Sequence, residues 1–201
     1  MNKIVIASNN QHKIDEFSKI LDDEDIELIS QSKLNIPEVD EIGLTFVENA
    51  LLKARNACLL SNIPSIADDS GIEVDALSGR PGIYSARYAG DNCDDNANNK
   101  LLLKELANIP FEKRTARYQC VIVFLAKHDC STPKIFNATW EGIIGIKETG
   151  HNGFGYDPLF FLPSLNCTAA ELSKERKNAI SHRGKALNLF KKEIKKTILK
   201  N

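Results

Sequence analysis

KIVIA-SNNQH-KIDEFSKILD, residues 3–22, is the stretch that decides the fold class. Lys3 to Ala7 carries a short apolar run suited to a buried strand, and Ser8 to His12 is a polar turn. From Lys13 onward Ile14, Phe17 and Leu21 recur at helical spacing. Strand, loop and helix in immediate succession open an α/β fold. Downstream, the acidic stretch Asp22 to Glu27 reads as a solvated turn before a strand from Ile26 to Ser30. Thr45 to Ser61 is the clearest helix, with Thr45 as N-cap, Glu48 completing a capping box, and Phe46, Ala50, Ala54 and Ala57/Cys58 on one face. Ile66 and Ala67 begin a short strand that runs into Asp68-Asp69-Ser70-Gly71. Asp94 to Ile109 is a helix with Leu101, Leu102, Leu106 and Ile109 inward. Thr115 to Lys127 and Lys134 to Ile146 are strands long enough to pair as a hairpin. A glycine-rich loop, Gly150 to Asp157, precedes a strand from Leu159 to Leu162. Lys177 to Leu199 reads as one closing helix, with Ile180, Leu187, Phe190, Ile194 and Ile198 at helical spacing. The composite is α/β with a mixed sheet, and no repeat or linker divides residues 1–201.

Composition agrees. A chain of 201 residues fits one domain, or two lobes sharing a core. It can bury roughly two-thirds of its unfolded surface without a disulfide or metal staple. Hydrophobic residues at 42% and charged residues at 26% are the balance of a soluble globular protein. A formal charge of −1 gives no overall bias towards nucleic acid. The longest apolar run, Cys120 to Ala126, is far short of a bilayer span, so no membrane partner is expected. Only Ile4 to Ala7 is apolar near the N-terminus, too little for a secretory signal, which points to the cytoplasm. Cys58, Cys93, Cys120, Cys130 and Cys167 are widely spaced with no C-x-x-C pair, the pattern of reduced thiols.

Five constellations could carry chemistry. Ser8-Asn9-Asn10-Gln11-His12-Lys13 lies between strand and helix, where helix N–H groups and the dipole favour an anion. Ser8 and Asn10 can donate to phosphate oxygens and Lys13 adds a point charge, although an ordinary polar turn would look the same. In Ala67-Asp68-Asp69-Ser70-Gly71 two adjacent carboxylates cannot both be buried unpaired. One can face a cation, with Glu38, Asp40, Glu41 or Glu48 as a second oxygen ligand for Mg²⁺; an Asx-type turn with exposed aspartates is the competing reading. Ser78 to Gly90 is punctuated by glycine and proline and shapes a rigid loop or a hairpin. In Gly153-Phe-Gly-Tyr-Asp157 an aromatic between glycines can stack on a base that Asp157 hydrogen-bonds. In Ile180-Ser-His-Arg-Gly-Lys185, His182 and Arg183 can both donate to a carbonyl oxygen.

Taken in order, these strings resemble the inosine/xanthosine triphosphate pyrophosphatase family over essentially the whole chain. The matching residues are Ser8-x-Asn10-x-x-Lys13, Gly43-Leu-Thr-Phe46 with Glu48-Asn-Ala50, Lys53-Ala54 and Ala67-Asp-Asp-Ser-Gly71. They continue with Pro81-Gly-Ile-Tyr-Ser-Ala-Arg-Tyr88, Gly153-Phe-Gly-Tyr-Asp-Pro158 and Ser181-His-Arg-Gly184. Asn9 departs from a frequent glycine, and Ile42 from a small polar residue. The resemblance implies an elongated central mixed sheet flanked by helices, two lobes with an active-site cleft between them, and a homodimer. It implies hydrolysis of a deaminated purine nucleoside triphosphate to monophosphate and pyrophosphate with Mg²⁺. By matching position, Ser8, Asn9, Asn10, Gln11, His12 and Lys13 would hold phosphates. Asp69 would be the catalytic carboxylate, and Glu41 (or Asp40 beside it) with Asp69 would hold the metal. Ser70, Phe154, Gly155, Tyr156, Asp157, Lys177, His182 and Arg183 would contact substrate.

The chemistry is consistent with that set. Water attack at the α-phosphorus needs neutralised phosphate charge, which Mg²⁺, Lys13, Lys53 and Lys177 can supply. Asp69, directly or through a metal-bound water, would orient and deprotonate the nucleophile. Donors from His182 and Arg183 aimed at a 6-oxo group would face another donor if adenine entered, a mismatch able to discriminate on the order of 10⁴-fold. Two rivals remain at this stage: a related pyrophosphatase for modified pyrimidine nucleotides, and a non-catalytic nucleotide-binding module.

Overall fold

The structure, a computed structural model, describes residues 2–22, 24–92 and 94–197, and only the backbone of 195–197. Asp23, Cys93, Ile198, Leu199 and Lys200, all used in reading the sequence, lie outside the described residues, as do the side chains of Lys195 and Lys196. The strands are β1 (Asn2–Ile6), β2 (Ile26–Ser30), β3 (Ser65–Val74), β4 (Thr115–Leu125), β5 (Lys134–Ile144), β6 (Phe160–Leu162) and β7 (Cys167–Thr168). They form one sheet in the order β2-β1-β3-β4-β5-β6-β7. The sheet is mixed: β1 pairs in parallel with β2 and β3, whereas β6 pairs antiparallel with β5 and β7. The helices are α1 (Gln11–Leu21), α2 (Phe46–Ser61), α3 (Asp95–Glu105), α4 (Lys174–Ile180) and α5 (His182–Thr197).

The chain divides into two compact units, Met1–Asp69 with Cys120–Ala138 and Arg183–Asn201, and Ser70–Gln119 with Thr139–His182. In the first unit the strand alternation is explicit. Ile4, Ile6, Ile66, Cys120 and Ile122 pack with Phe17 and Leu21 of α1 and Ala186, Leu187, Phe190 and Ile194 of α5. Val5, Ala7, Ala67, Val121, Val123 and Leu125 pack instead with Ala50, Ala54, Ala57 and Cys58 of α2. Consecutive residues therefore serve opposite helical layers, which explains why these strands read as unbroken apolar runs. In the second unit Ile72 and Val74 of β3, Tyr118 of β4, Trp140 of β5 and Phe160 of β6 form one core with Leu102 and Leu106.

Local signals account for the ends. The Asn10 side chain accepts from Lys13 N–H at the start of α1, and Thr45 accepts from Glu48 N–H at the start of α2. Each satisfies a helix donor that would otherwise be orphaned. Asp94, read as a helical residue, is the N-cap of α3. Two expectations are corrected and one alternative is settled. Asp68 to Gly71 lie inside a ten-residue strand and not in a turn at its end. Gly82–Arg87 is a 3-10 turn, which sets the hairpin alternative for Ser78 to Gly90 aside and leaves the loop. The closing helix is two helices, because Ser181 takes extended backbone (φ −70°, ψ 164°) and ends α4.

Candidate active site

β3 presents two consecutive carboxylates, and its pleat sends them to opposite faces. Asp68 follows the register of Ile66 and meets the helices of that layer. Lys13 of α1 places Nζ 3.2 Å from its Oδ2, and Arg183 of α5 donates to the same oxygen from Nε and Nη2 at 3.2 and 3.1 Å. Arg183 also donates from Nη1 to Glu16 of α1 at 2.5 Å. Asp69 follows the register of Ala67 and meets α2. Lys53 donates to its Oδ1 at 2.9 Å and to Glu41 at 2.6 Å, while Asn49, one helical turn before Lys53, approaches Oδ2 at 3.4 Å.

The two faces differ in charge balance. Around Asp68 two cations meet two carboxylates, so the group is neutral overall. Burial alone would push the Asp68 carboxyl up, but Lys13, Arg183 and Lys53 outweigh it and hold the group well below the usual carboxylate range. Around Asp69, among the described contacts, two carboxylates share the ammonium of Lys53, so negative charge outweighs positive there. Burial, with the nearby Glu41 carboxylate, raises Asp69 above its ordinary value despite Lys53 and Lys13. A buried Asp69 beside a partly exposed Glu41, short of positive charge, suits a hard cation, and Mg²⁺ uses one or two carboxylates with water and phosphate oxygens. Among the described residues no cluster of three or more His, Cys, Asp or Glu gathers at one point. Glu41 reaches Lys53; the neighbouring Asp40 is exposed.

The loop before α1 is open to solvent at Asn9, Asn10, Gln11 and His12, with Ser8 and Lys13 half-buried. Ser8 accepts from Asn10 N–H at 3.2 Å and Gln31 donates to Asn9 at 3.2 Å, so side chains brace the turn. Gln11 donates to Asp15 at 2.6 Å. Asn9 is not among the residues with positive φ, so the glycine it replaces is not required there. Ile42, the other departure, is 78% exposed and displaces nothing.

In the second unit the loop Gly153 to Asp157 is organised around one buried carboxylate. Asp157 accepts from Phe154 N–H at 2.9 Å, from Lys177 Nζ at 2.5 Å and from Tyr118 OH at 3.3 Å. Lys177 also lies 4.7 Å from the Phe154 ring centroid, a cation–π distance. Tyr156 is buried and donates from its hydroxyl to Ser85 C=O at 2.8 Å. Phe154 and Ser70 remain half-buried. His182 stacks on Tyr118 with centroids 4.5 Å apart and planes 7° apart, which fixes the ring. Asp157, Lys177 and Arg183, expected to contact substrate, thus have roles inside the protein, bracing a loop in the first two cases and anchoring Asp68 in the third.

Asn49, Glu16 and Tyr118 were not singled out from sequence as site residues. A lone Asn, Glu or Tyr inside an element carries no local signal. The i, i+4 spacing of Asn49 and Lys53, which puts both on one face of α2, was the nearest available pointer.

Comparison with known proteins adds independent information. A model of the Ham1 family matches residues 4–193. A dITP/XTP pyrophosphatase of Photorhabdus laumondii is 48% identical over 190 residues, spanning 94% of this chain and 96% of the relative. A HAM1 protein from Coxiella burnetii has the same fold with TM-score 0.92 and 42% identity, over 98% of this chain and 100% of that one. The Staphylococcus aureus Ham1 protein gives TM-score 0.86 and 46% identity, over 97% and 99% of the two chains. Sequence and backbone agree along nearly the full length, and the chain belongs to the Ham1 family.

Proposed function

We propose that the protein hydrolyses deaminated purine nucleoside triphosphates, ITP and XTP and their deoxy forms, to the monophosphate and pyrophosphate. The observation that carries this reading is the unequal pair on β3: Asp68 is neutralised by Lys13 and Arg183, whereas Asp69 shares Lys53 with Glu41 and retains negative charge. The names of the relatives support the substrate class. Asp69 orients a water for attack at the α-phosphorus and takes its proton; its raised pKa makes it the better base of the two aspartates. Glu41 and Asp69 would hold Mg²⁺, which neutralises charge on the phosphate chain when bound. Lys53 keeps the two carboxylates together. The α1 N-terminus, with Ser8, Asn10 and the exposed loop between them, binds phosphate oxygens.

Phe154 stacks on the base, and His182 supplies a donor to its 6-oxo group, while Arg183 beside it stays on Asp68 and Glu16. The ring of His182, fixed by Tyr118, supports this role. Lys177 of α4, paired with Asp157, braces the base-binding loop and is not part of the polyphosphate grip. Assembly as a homodimer and residence in the cytoplasm remain part of the proposal, the dimer supported by the family likeness alone.

The test is pyrophosphate release from ITP, XTP, dUTP, ATP and GTP, with Mg²⁺ and with EDTA. Release from ITP and XTP that EDTA abolishes supports the reading. Preference for dUTP would move the substrate to pyrimidines, and binding without release would leave a nucleotide-binding module.

A further inference from the structure

Helix α3 has a second task besides packing Leu102 into the core. Asp94 caps it by accepting from the N–H groups of Asn96 and Ala97 at 2.9 and 3.3 Å. The next acid, Asp95, is therefore not needed as a cap, and its carboxylate accepts from Gly155 N–H at 2.7 Å. One turn further, Asn99 donates from Nδ2 to Gly155 C=O at 3.1 Å. Residues four apart on a helix stand on one face, so α3 grips both polar groups of a single residue. Gly155 has φ +61°, a left-handed conformation whose isolated preference is weak and which the two hydrogen bonds fix.

Asn99 is 2% exposed, and its Oδ1 has no hydrogen-bond partner among the described residues. Flipping the amide would turn that acceptor onto the Gly155 carbonyl, so the donor orientation is determined. Leaving a buried acceptor unmet is costly. A side chain kept at that cost, where an apolar residue would pack without it, is retained for its donor.

We propose that Asp95 and Asn99 are positioning residues for substrate, acting through Gly155 on Phe154. This rests on the reading of Phe154 as the base-stacking ring. Phe154 is fixed on one side by its own N–H to Asp157, and on the other by the peptide it shares with Gly155, whose N–H is held by Asp95. Without the α3 grip, the peptide between Phe154 and Gly155 can rotate, and the ring loses its single orientation. Binding of the base then weakens, whereas recognition of the polyphosphate does not.

The experiment compares Asp95→Ala and Asn99→Ala with Asp95→Asn, which keeps an acceptor oxygen at the same place. Hydrogen exchange of segment 153–157 reads the grip directly, and steady-state kinetics with ITP read its consequence. Partial loss of the stacking on one base predicts KM raised about tenfold with kcat within about twofold. Inhibition by pyrophosphate should be unchanged. Faster exchange and raised KM in both alanine variants, with Asp95→Asn close to the parent protein, support the assignment. Unchanged exchange, a fall in kcat with weaker pyrophosphate inhibition, or Asp95→Asn as damaged as Asp95→Ala would overturn it. Should the parent protein itself release no pyrophosphate, the functional reading fails, while the exchange data still decide whether α3 holds the loop.

Discussion

Asp68 sits among two cations and Asp69 beside one cation and a second carboxylate, so removing each charge has a different consequence. Asp68→Asn removes the carboxylate that Arg183 and Lys13 share, and breaking a buried pair costs about 3–5 kcal/mol. Urea unfolding should show that loss. Asp69→Asn removes crowding with Glu41, so its midpoint should equal or exceed the parent's, while pyrophosphate release falls at least about 10²-fold. Near-normal turnover of Asp69→Asn at saturating Mg²⁺ would sink the assignment of the base. The Asp68 contribution also has a definite pH window. Its folded pKa is lowered, so the group binds protons more weakly folded than unfolded. The stability it supplies is fully present above the unfolded value of about 3.9 and drains away as pH falls below it. The gap between the parent and Asp68→Asn should therefore hold steady from about pH 6 to 8 and narrow below about pH 4. A gap that widened on acidification would contradict the ion-pair account.

Elements were legible where periodicity stayed local. The opening βα unit and the Thr45 cap of α2 follow from short patterns, and both are present, although Glu48 accepts from Leu44 N–H and the Thr45 hydroxyl and so leaves the reciprocal half of the capping box unformed. β3 was read too short because Asp-Asp-Ser-Gly has poor strand propensity. Its ionic partners come from α1, α2 and α5, and no local pattern reports them. The break at Ser181 was invisible for a different reason: apolar residues continue at helical spacing on both sides of it. Loop 153–157 was legible as a glycine pair around an aromatic, but not why each glycine is there. Gly153 has φ +77°, and a Cβ on it would lie 2.0 Å from Asp157 Oδ2, the carboxylate oxygen that holds Phe154 and Lys177. Gly155 has φ +61° with no atom within 4 Å of a Cβ. Gly153→Ala should therefore eject Asp157 from its site and raise KM for ITP severely. Gly155→Ala should cost only left-handed strain, about 1–2 kcal/mol, seen as a modest drop in Tm. Equal damage from the two substitutions would mean that Asp157 does not organise the loop.

At the level of the whole molecule, a net charge of −1 favours neither cation nor anion, so local imbalance decides what binds. The division into two units left no trace in composition, because β3, β4 and β5 each supply residues to both and no linker marks the boundaries. On the proposed reading, the excess negative charge around Asp69 would attract Mg²⁺ and repel a bare polyphosphate, whereas a phosphate-bound Mg²⁺ would satisfy both. Mg²⁺ and pyrophosphate should accordingly bind with positive coupling, each raising affinity for the other by the same factor. A ligand at a hundred times its Kd adds about 2.7 kcal/mol to stability. For a chain of this size that raises Tm by about 5–10 °C. Thermal melts should show that rise with Mg²⁺ and pyrophosphate together, little with either alone, and none with EDTA present. Asp69→Asn should abolish the coupled shift, and Asp95→Ala should retain it, since α3 grips the base-side loop and not the phosphates. A full shift with pyrophosphate in EDTA would place the anion on lysines alone and remove the metal from the scheme.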